Sequence, residues 1–260
     1  MSILILFIIS ALPVVLLSIY IYKKDRNKEP LKLLIKLFLG GILSCFLVLF
    51  LSGILGAIFP ILSAETSDLN LFELIIRVVI GIALIEEFSK WFFVYFFSYN
   101  NKEFDEIYDI IIYNVFVALG FAFFENIIYV FQGGISTGIV RAILAVPGHA
   151  WDGVFMGYYL GIAKQSSINN NKQLSKKNII LSILVPTLLH GFYDYCLFTD
   201  NLIFLLAFLV FIILLYIHSI KRIKRMSSIR GKMRYKNNYC TNCGHPVNSN
   251  YCPKCGRKNE

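Results

Sequence analysis

Charge is scarce in this chain. Only 16% of its 260 residues are charged, against about 25% in a soluble domain. So few cannot cover a core drawn from a composition that is 57% hydrophobic, and a water-soluble globule is excluded. A disordered chain is excluded as well, because disorder requires low hydrophobicity. Acidic residues number 16 against 25 Lys and Arg, for a formal net charge of +9. Internal repeats and low-complexity segments are absent, which counts against transporters assembled from paired halves. The first apolar run has no basic flank ahead of it and no small-residue cleavage site. Lys23, Lys24 and Arg26 come after it, the reverse of the charge order in a signal peptide, so it reads as a retained helix.

Apolar runs fill the chain instead, at roughly 3–22, 37–59, 74–98, 110–132, 139–163, 179–198 and 202–220. Each approaches the ~20 residues that a helix needs to cross a bilayer. The expected fold is an all-α polytopic membrane protein of about seven transmembrane helices over 1–220, a basic linker over 221–236 and a small zinc ribbon over 237–260. Positive charge collects on the cytoplasmic side of membrane proteins. With the N-terminus outside, segments 23–36, 99–109, 164–178 and the tail after 220 face inward and carry 22 of the 25 basic residues, leaving Arg77, Lys90 and Arg141. Arg77 and Arg141 then sit near outer helix ends, where long side chains reach the interface. The expected location is the cell membrane, with the ribbon in the cytosol. Residues 165–178, polar and rich in Asn, read as a solvated loop. The basic linker reads as a flank that attracts anionic lipid headgroups, in preference to nucleic acid.

Four of the six cysteines are spaced Cys240-x2-Cys243 and Cys252-x2-Cys255. Two thiolate pairs at this spacing close a tetrahedron around zinc, and a segment this short cannot build a core without it. A redox dithiol is the alternative, disfavoured by the cytosolic placement and by two matched pairs. His245 reads as a bystander. Cys45 and Cys196, inside apolar runs, read as small packing residues. A cytosolic protein is a candidate partner of the ribbon.

Ionisable groups within the runs are costly, and each is a functional candidate. The third run holds Glu86, Glu87 and Lys90, the fourth Glu125 beside Asn126, the fifth His149 and Asp152, and the sixth His190 and Asp194. At 1.5 Å rise per residue, Glu86, Glu125, His149 and His190 lie about 18, 22, 21 and 16 Å above the inner helix ends. They therefore share one layer. Glu86 or Glu87 can pair with Lys90 along one helix face. Asp152 and Asp194, at i+3 and i+4 from His149 and His190, can orient those imidazoles or accept their protons. Gly153, Gly157 and Gly161 form a stripe suited to close helix packing. His218 stands alone at the inner end of the last run and reads as interfacial.

These residues carry a family pattern. Glu86-Glu87-Phe88-Ser89-Lys90-Trp91 resembles the EExxK signature of the PrsW family of intramembrane proteases. Glu103 to Asp109 resembles its acidic cytosolic loop, Gly120 to Asn126 its FxxxEN motif, and His149 to Gly157 and His190 to Asp194 its later histidine motifs. The resemblance spans 74–198. The wider superfamily of CAAX-prenyl and bacteriocin-processing membrane proteases typically carries Arg one position beyond the place of Lys90, which favours PrsW. The resemblance implies an endopeptidase that makes the first cut in a single-pass, membrane-anchored anti-sigma factor, at its extracytoplasmic side. It implies catalytic roles for Glu86, Glu87, Glu125 and His190, with His149 a further candidate.

Chemically, hydrolysis needs an activated water, an oxyanion stabiliser and a leaving-group acid. No Ser–His or Cys–His nucleophile motif appears in these runs. Glu86 or Glu87 is the expected base, His190 or His149 the oxyanion stabiliser or acid, and Asn126 a further hydrogen-bond donor. Two glutamates and two histidines could also hold a divalent metal with an open water position, although the HExxH arrangement is absent. Glutamate-only and metal-dependent catalysis both stay open. A proton-coupled transporter or channel would also need buried carboxylates and histidines, and a non-catalytic scaffold would keep the fold without cleavage.

Overall fold

The computed structural model describes residues 3–199, 201–228, 242–243, 245 and 252–257. Among these residues every regular element is helical. Helices α1 (Ile3–Lys24) and α2 (Leu31–Ile58) are apolar nearly all round. They are joined by a tight connection over 25–30, where Asp25 Oδ2 accepts the Glu29 amide at 3.0 Å and Lys28 Nζ donates to the Tyr22 carbonyl at 2.5 Å. Two short 3-10 turns, Pro60–Leu62 and Thr66–Asp68, lead to α3 (Leu71–Ile76). Asn70 caps α3 in a reciprocal box: its side chain accepts from the Phe72 and Glu73 amides, and Glu73 Oε2 accepts from the Asn70 amide, all at 3.0 Å.

A π-helical stretch, Arg77–Leu84, continues α3 without a break into α4 (Ile85–Ser98). The wider π turn rotates α4 about its axis relative to α3, and Glu86 and Glu87 lie just beyond it. π turns of this kind recur at functional sites. Helix α5 (Ile107–Ile143) is interrupted at Gly134, whose φ of 74° and ψ of −160° no helix contains. The short helix over 135–143 folds back along the one over 107–133, so that a Cβ on Gly138 would lie 3.4 Å from Val130 Cγ2. Helices α6 (Ala145–Ile168), α7 (Lys172–Phe198) and α8 (Leu202–Ser228) complete the fold.

Among the described residues five segments are long and apolar enough to cross a membrane: Ile3–Lys24, Leu31–Ile58, Ile107–Ile168, Lys172–Phe198 and Leu202–Ser228. The chain is a multi-pass membrane protein. The five segments are helical stretches and not crossings, and they are fewer than the seven apolar runs for two structural reasons. The π stretch divides 71–98 into shorter pieces, and α5 and α6 together make one apolar segment. Two connections are also shorter than expected. Most of the Asn-rich stretch 165–178 is helical, leaving only 169–171 between α6 and α7, and α8 carries Lys221, Arg222, Lys224 and Arg225 within its last turns. The basic linker therefore begins as helix.

The inner part of α5 is the buried axis, with Ile110, Ile111, Ile112, Tyr113 and Leu119 sealed from solvent. Helix α2 crosses it at a pair of glycines. A Cβ on Gly41 would sit 2.0 Å from the Val117 carbonyl oxygen, and one on Gly120 2.0 Å from that of Phe38. The Gly153, Gly157 and Gly161 stripe packs α6 on α5 as expected, with Gly157 closest, 2.6 Å from Ile111 Cα. Large apolar side chains such as Leu49, Phe96 and Ile203 point outward, as lipid-facing residues do.

Candidate active site

The layer expected from helix depths is a contact network. On α4, Glu86 and Glu87 are both buried, Glu87 completely. Lys90 Nζ donates to Glu87 Oε1 at 2.7 Å and pairs with Glu86 Oε2 at 3.6 Å. The same ammonium lies 3.1 Å from His149 Nδ1 on α6 and 4.1 Å over the Phe121 ring of α5. An ammonium has protons to give and no lone pair, so His149 Nδ1 is the acceptor. His149 Nε2 then carries the ring proton and donates it to Glu125 Oε2 at 2.9 Å. His149 is thereby fixed in one neutral tautomer.

His190 is set differently. Its Nδ1 lies 2.9 Å from Glu87 Oε1, and its Nε2 faces Asp194 Oδ2 at 3.5 Å and Glu86 Oε2 at 3.8 Å. Carboxylates stand at both nitrogens, so this ring can hold a proton on either side. The two imidazoles meet edge to face, 5.4 Å between centroids. They close a continuous path of polar contacts from Glu125 through His149, Lys90, Glu87 and His190 to Asp194.

A cavity of about 340 Å³ opens onto this path, far more than the ~30 Å³ share of one water. Glu86, Glu125, His149, Asp152, His190 and Asp194 line it, together with Arg141, Tyr129, Tyr193 and Phe198. Glu87 does not.

The sequence model of one family, described as "PrsW family intramembrane metalloprotease", matches residues 29–218. The chain belongs to the PrsW family. It is therefore an intramembrane protease, a peptide hydrolase. It is 39% identical over 215 residues to "Protease PrsW" of Oceanobacillus iheyensis, covering 82% of this chain and 92% of the relative. To "Protease PrsW" of Geobacillus kaustophilus it is 40% identical over 186 residues, 71% of this chain and 75% of the relative. To that of Bacillus subtilis it is 34% identical over 203 residues, 77% and 87% of the two chains. No solved structure matches the chain.

Within this PrsW-family site, several sequence expectations change. Asp152 does not orient His149, because the imidazole turns off its own helix toward Lys90 and Glu125. Asp152 Oδ1 is instead buried with no hydrogen-bond partner. Asn126 is no free donor: its Nδ2 donates to the Ser10 carbonyl of α1 at 3.0 Å, and its Oδ1 accepts from Arg141 Nε at 2.8 Å. Arg141 does not reach for the interface. It turns back to Glu125 Oε2 at 2.8 Å, because the fold-back after Gly134 brings it to that depth. Phe121, given no role by the sequence, is the aromatic face under Lys90. Cys45 is buried between the Gly41 and Phe121 carbonyls, as expected of a packing residue, and His218 is exposed on α8.

A divalent metal, implied by the family description, meets a fitting donor set. One atom each from Glu87, His149, Asp152 and His190 lie within 4.8 Å of one another. Glu86 Oε2, Glu87 Oε2 and Asp152 Oδ1 are buried without hydrogen-bond partners, as oxygens reserved for a cation would be. The Lys90 ammonium occupies the space beside Glu87 and His149, and a cation would take its place there. In the tail, Cys243, Cys252 and Cys255 are close enough to bind a metal. Gly256, at φ 70°, gives its amide to the Cys252 carbonyl at 2.9 Å and closes the turn that carries Cys252 and Cys255. Cys240 lies outside the described residues.

Proposed function

We propose that the chain cuts a single-pass membrane protein, of the anti-sigma-factor class, within the cavity lined by Glu86, Glu125 and the two histidines. The observation that carries this reading is the division of labour between the adjacent glutamates. Glu86 faces the cavity, while Glu87 is spent on Lys90 and His190. Glu86 is then the general base toward water, the role that the sequence left open between the two. His190, with carboxylates at both nitrogens, carries the proton to the leaving amine. Asp194 faces its outer nitrogen and holds the ring toward Glu86. His149, its proton fixed on Nε2 toward Glu125, keeps that carboxylate at the cavity wall. A divalent cation on Glu87, Asp152 and His149, taking the place of the Lys90 ammonium beside them, would polarise the scissile carbonyl and acidify a water, leaving His190 to carry the proton.

Seven crossings, with the N-terminus outside and the ribbon in the cytosol, place the opening near Leu144 and Phe198 toward the extracytoplasmic side. The ribbon holds zinc through Cys240, Cys243, Cys252 and Cys255. The basic end of α8 and the linker after it meet anionic headgroups, and a cytosolic protein is the candidate ligand of the ribbon.

The test is cleavage of co-expressed single-pass membrane proteins. Glu86→Gln, Glu125→Gln and His190→Ala are each expected to lose roughly two to four orders of magnitude, as for a lost acid or base. His218→Ala is expected to be silent. A membrane-permeant chelator is expected to stop the wild type. Full proteolysis by Glu86→Gln would end the assignment of the base, and cleavage indifferent to chelation would remove the metal.

A further inference from the structure

Arg141 takes no part in the hydrolytic steps assigned to Glu86 and His190, yet it is built into the site. Its guanidinium spans two adjacent residues of α5: Nη2 donates to Glu125 Oε2 and Nε to Asn126 Oδ1, each at 2.8 Å. The group lies 4.2 Å over the Tyr129 ring. Asn126 is itself anchored on α1 through the Ser10 carbonyl at 3.0 Å. Glu125 Oε2 thus receives two donors, Arg141 Nη2 on one side and His149 Nε2 on the other at 2.9 Å. A glutamate has several rotatable bonds and, without the fork, would be free to turn into the cavity. A guanidinium presents its donors in a fixed planar fork that holds two neighbouring acceptors in one orientation. A lysine ammonium is a single point charge.

We propose that Arg141 is a positioning residue of the hydrolytic site. Its guanidinium holds Glu125 Oε2 in place to accept the ring proton that Lys90 already confines to His149 Nε2. The inference rests on the reading of Glu125 and His149 as working parts of the site. It adds to the machinery a residue that lies outside the EExxK, FxxxEN and histidine motifs. The helix over 135–143 delivers that residue, and this helix exists only because the chain reverses at Gly134.

The test uses full-length protein in lipid nanodiscs, labelled with 15N-histidine. In the wild type, His149 is expected to show a protonated Nε2 and an unprotonated Nδ1. In Arg141→Ala, and in Arg141→Lys, the Nε2 signal is expected to shift as its hydrogen bond to Glu125 weakens, with the tautomer itself kept by Lys90. Cleavage is expected to fall roughly 10–100-fold, as for a lost supporting hydrogen bond, in kcat with KM unchanged. In a Glu125→Gln background, Arg141→Ala is expected to add no further loss, because contacting residues that act as one unit are not additive. An unchanged His149 signal in both Arg141 variants would overturn the proposal. So would a rise in KM at constant kcat, which would make Arg141 a substrate ligand. Should Arg141→Ala fail to fold, Arg141→Lys carries the same readouts. Full activity of Glu125→Gln would overturn the site reading itself and is separately visible.

Discussion

Lys90 shows how one side chain can hold a site together and leave the chemistry to others. It is 2% exposed, and its charge is met by Glu87, Glu86, the Phe121 face and a histidine nitrogen. Removing one partner of a buried ion pair costs roughly 3–5 kcal/mol, because the other charge is stranded. Lys90→Ala is therefore expected to lower protein abundance and thermal stability as well as cleavage, whereas Glu86→Gln lowers cleavage alone. Normal abundance and melting of Lys90→Ala would refute this. The buried carboxyl of Glu29 lies outside the spans. Burial lifts the Glu29 carboxyl from an ordinary 4.5 to about 7, against the pull of the Tyr113 hydroxyl that donates to it. The folded chain then holds a proton that the unfolded chain releases between about pH 4.5 and pH 7. Stability declines as pH rises through that window and levels above it. Glu29→Gln is expected to melt higher than the wild type near pH 8, with the gap closing toward about pH 4.5. A gap independent of pH would show that Glu29 titrates normally.

At the scale of elements, the site depends on helices held closer than side chains would permit. Gly157 brings α6 against α5 and so fixes the distance from His149 to Glu125. A Cβ there would meet Ile111 backbone at 2.6 Å, whereas one on Gly53 would meet nothing within 4 Å. Gly157→Val is expected to lower the melting temperature and abolish cleavage, and Gly53→Ala to change neither. Equal effects of the two would mean that glycine content, and not the α5–α6 approach, governs stability. The Gly153, Gly157 and Gly161 stripe was legible as packing because its four-residue spacing is a helix face. The Gly41 and Gly120 crossing was not, because each glycine lies in a different helix and neither alone makes a pattern. The π stretch was equally hidden, since Arg77–Leu84 reads as ordinary apolar helix.

For the whole molecule, the distribution of charge sets an expected orientation. With 22 of 25 basic residues inward, the positive-inside rule puts the N-terminus outside and the cysteine-rich tail in the cytosol. In a Cys45→Ala, Cys196→Ala background, an impermeant thiol reagent is expected to leave the metal-stripped tail unlabelled in intact cells and to label it after lysis. Labelling before lysis would reverse the topology and move the cavity mouth to the cytosolic side.

The apolar runs by themselves determined an all-helical membrane protein, because a bilayer allows the backbone no other open-ended solution. The ionisable residues inside those runs marked the site for the same reason: a charge in hydrocarbon must have partners. Which partners they have was decided only in three dimensions. Helix spacing suggested that Asp152 serves His149, yet the imidazole turns to another helix. It could not show that Glu86 faces a cavity while its neighbour faces Lys90, or that the chain reverses at Gly134 and carries Arg141 back to Glu125. Those facts depend on the rotation of one helix against the next and on one glycine's positive φ. Both are set by packing between distant segments, which periodicity along a single chain does not record.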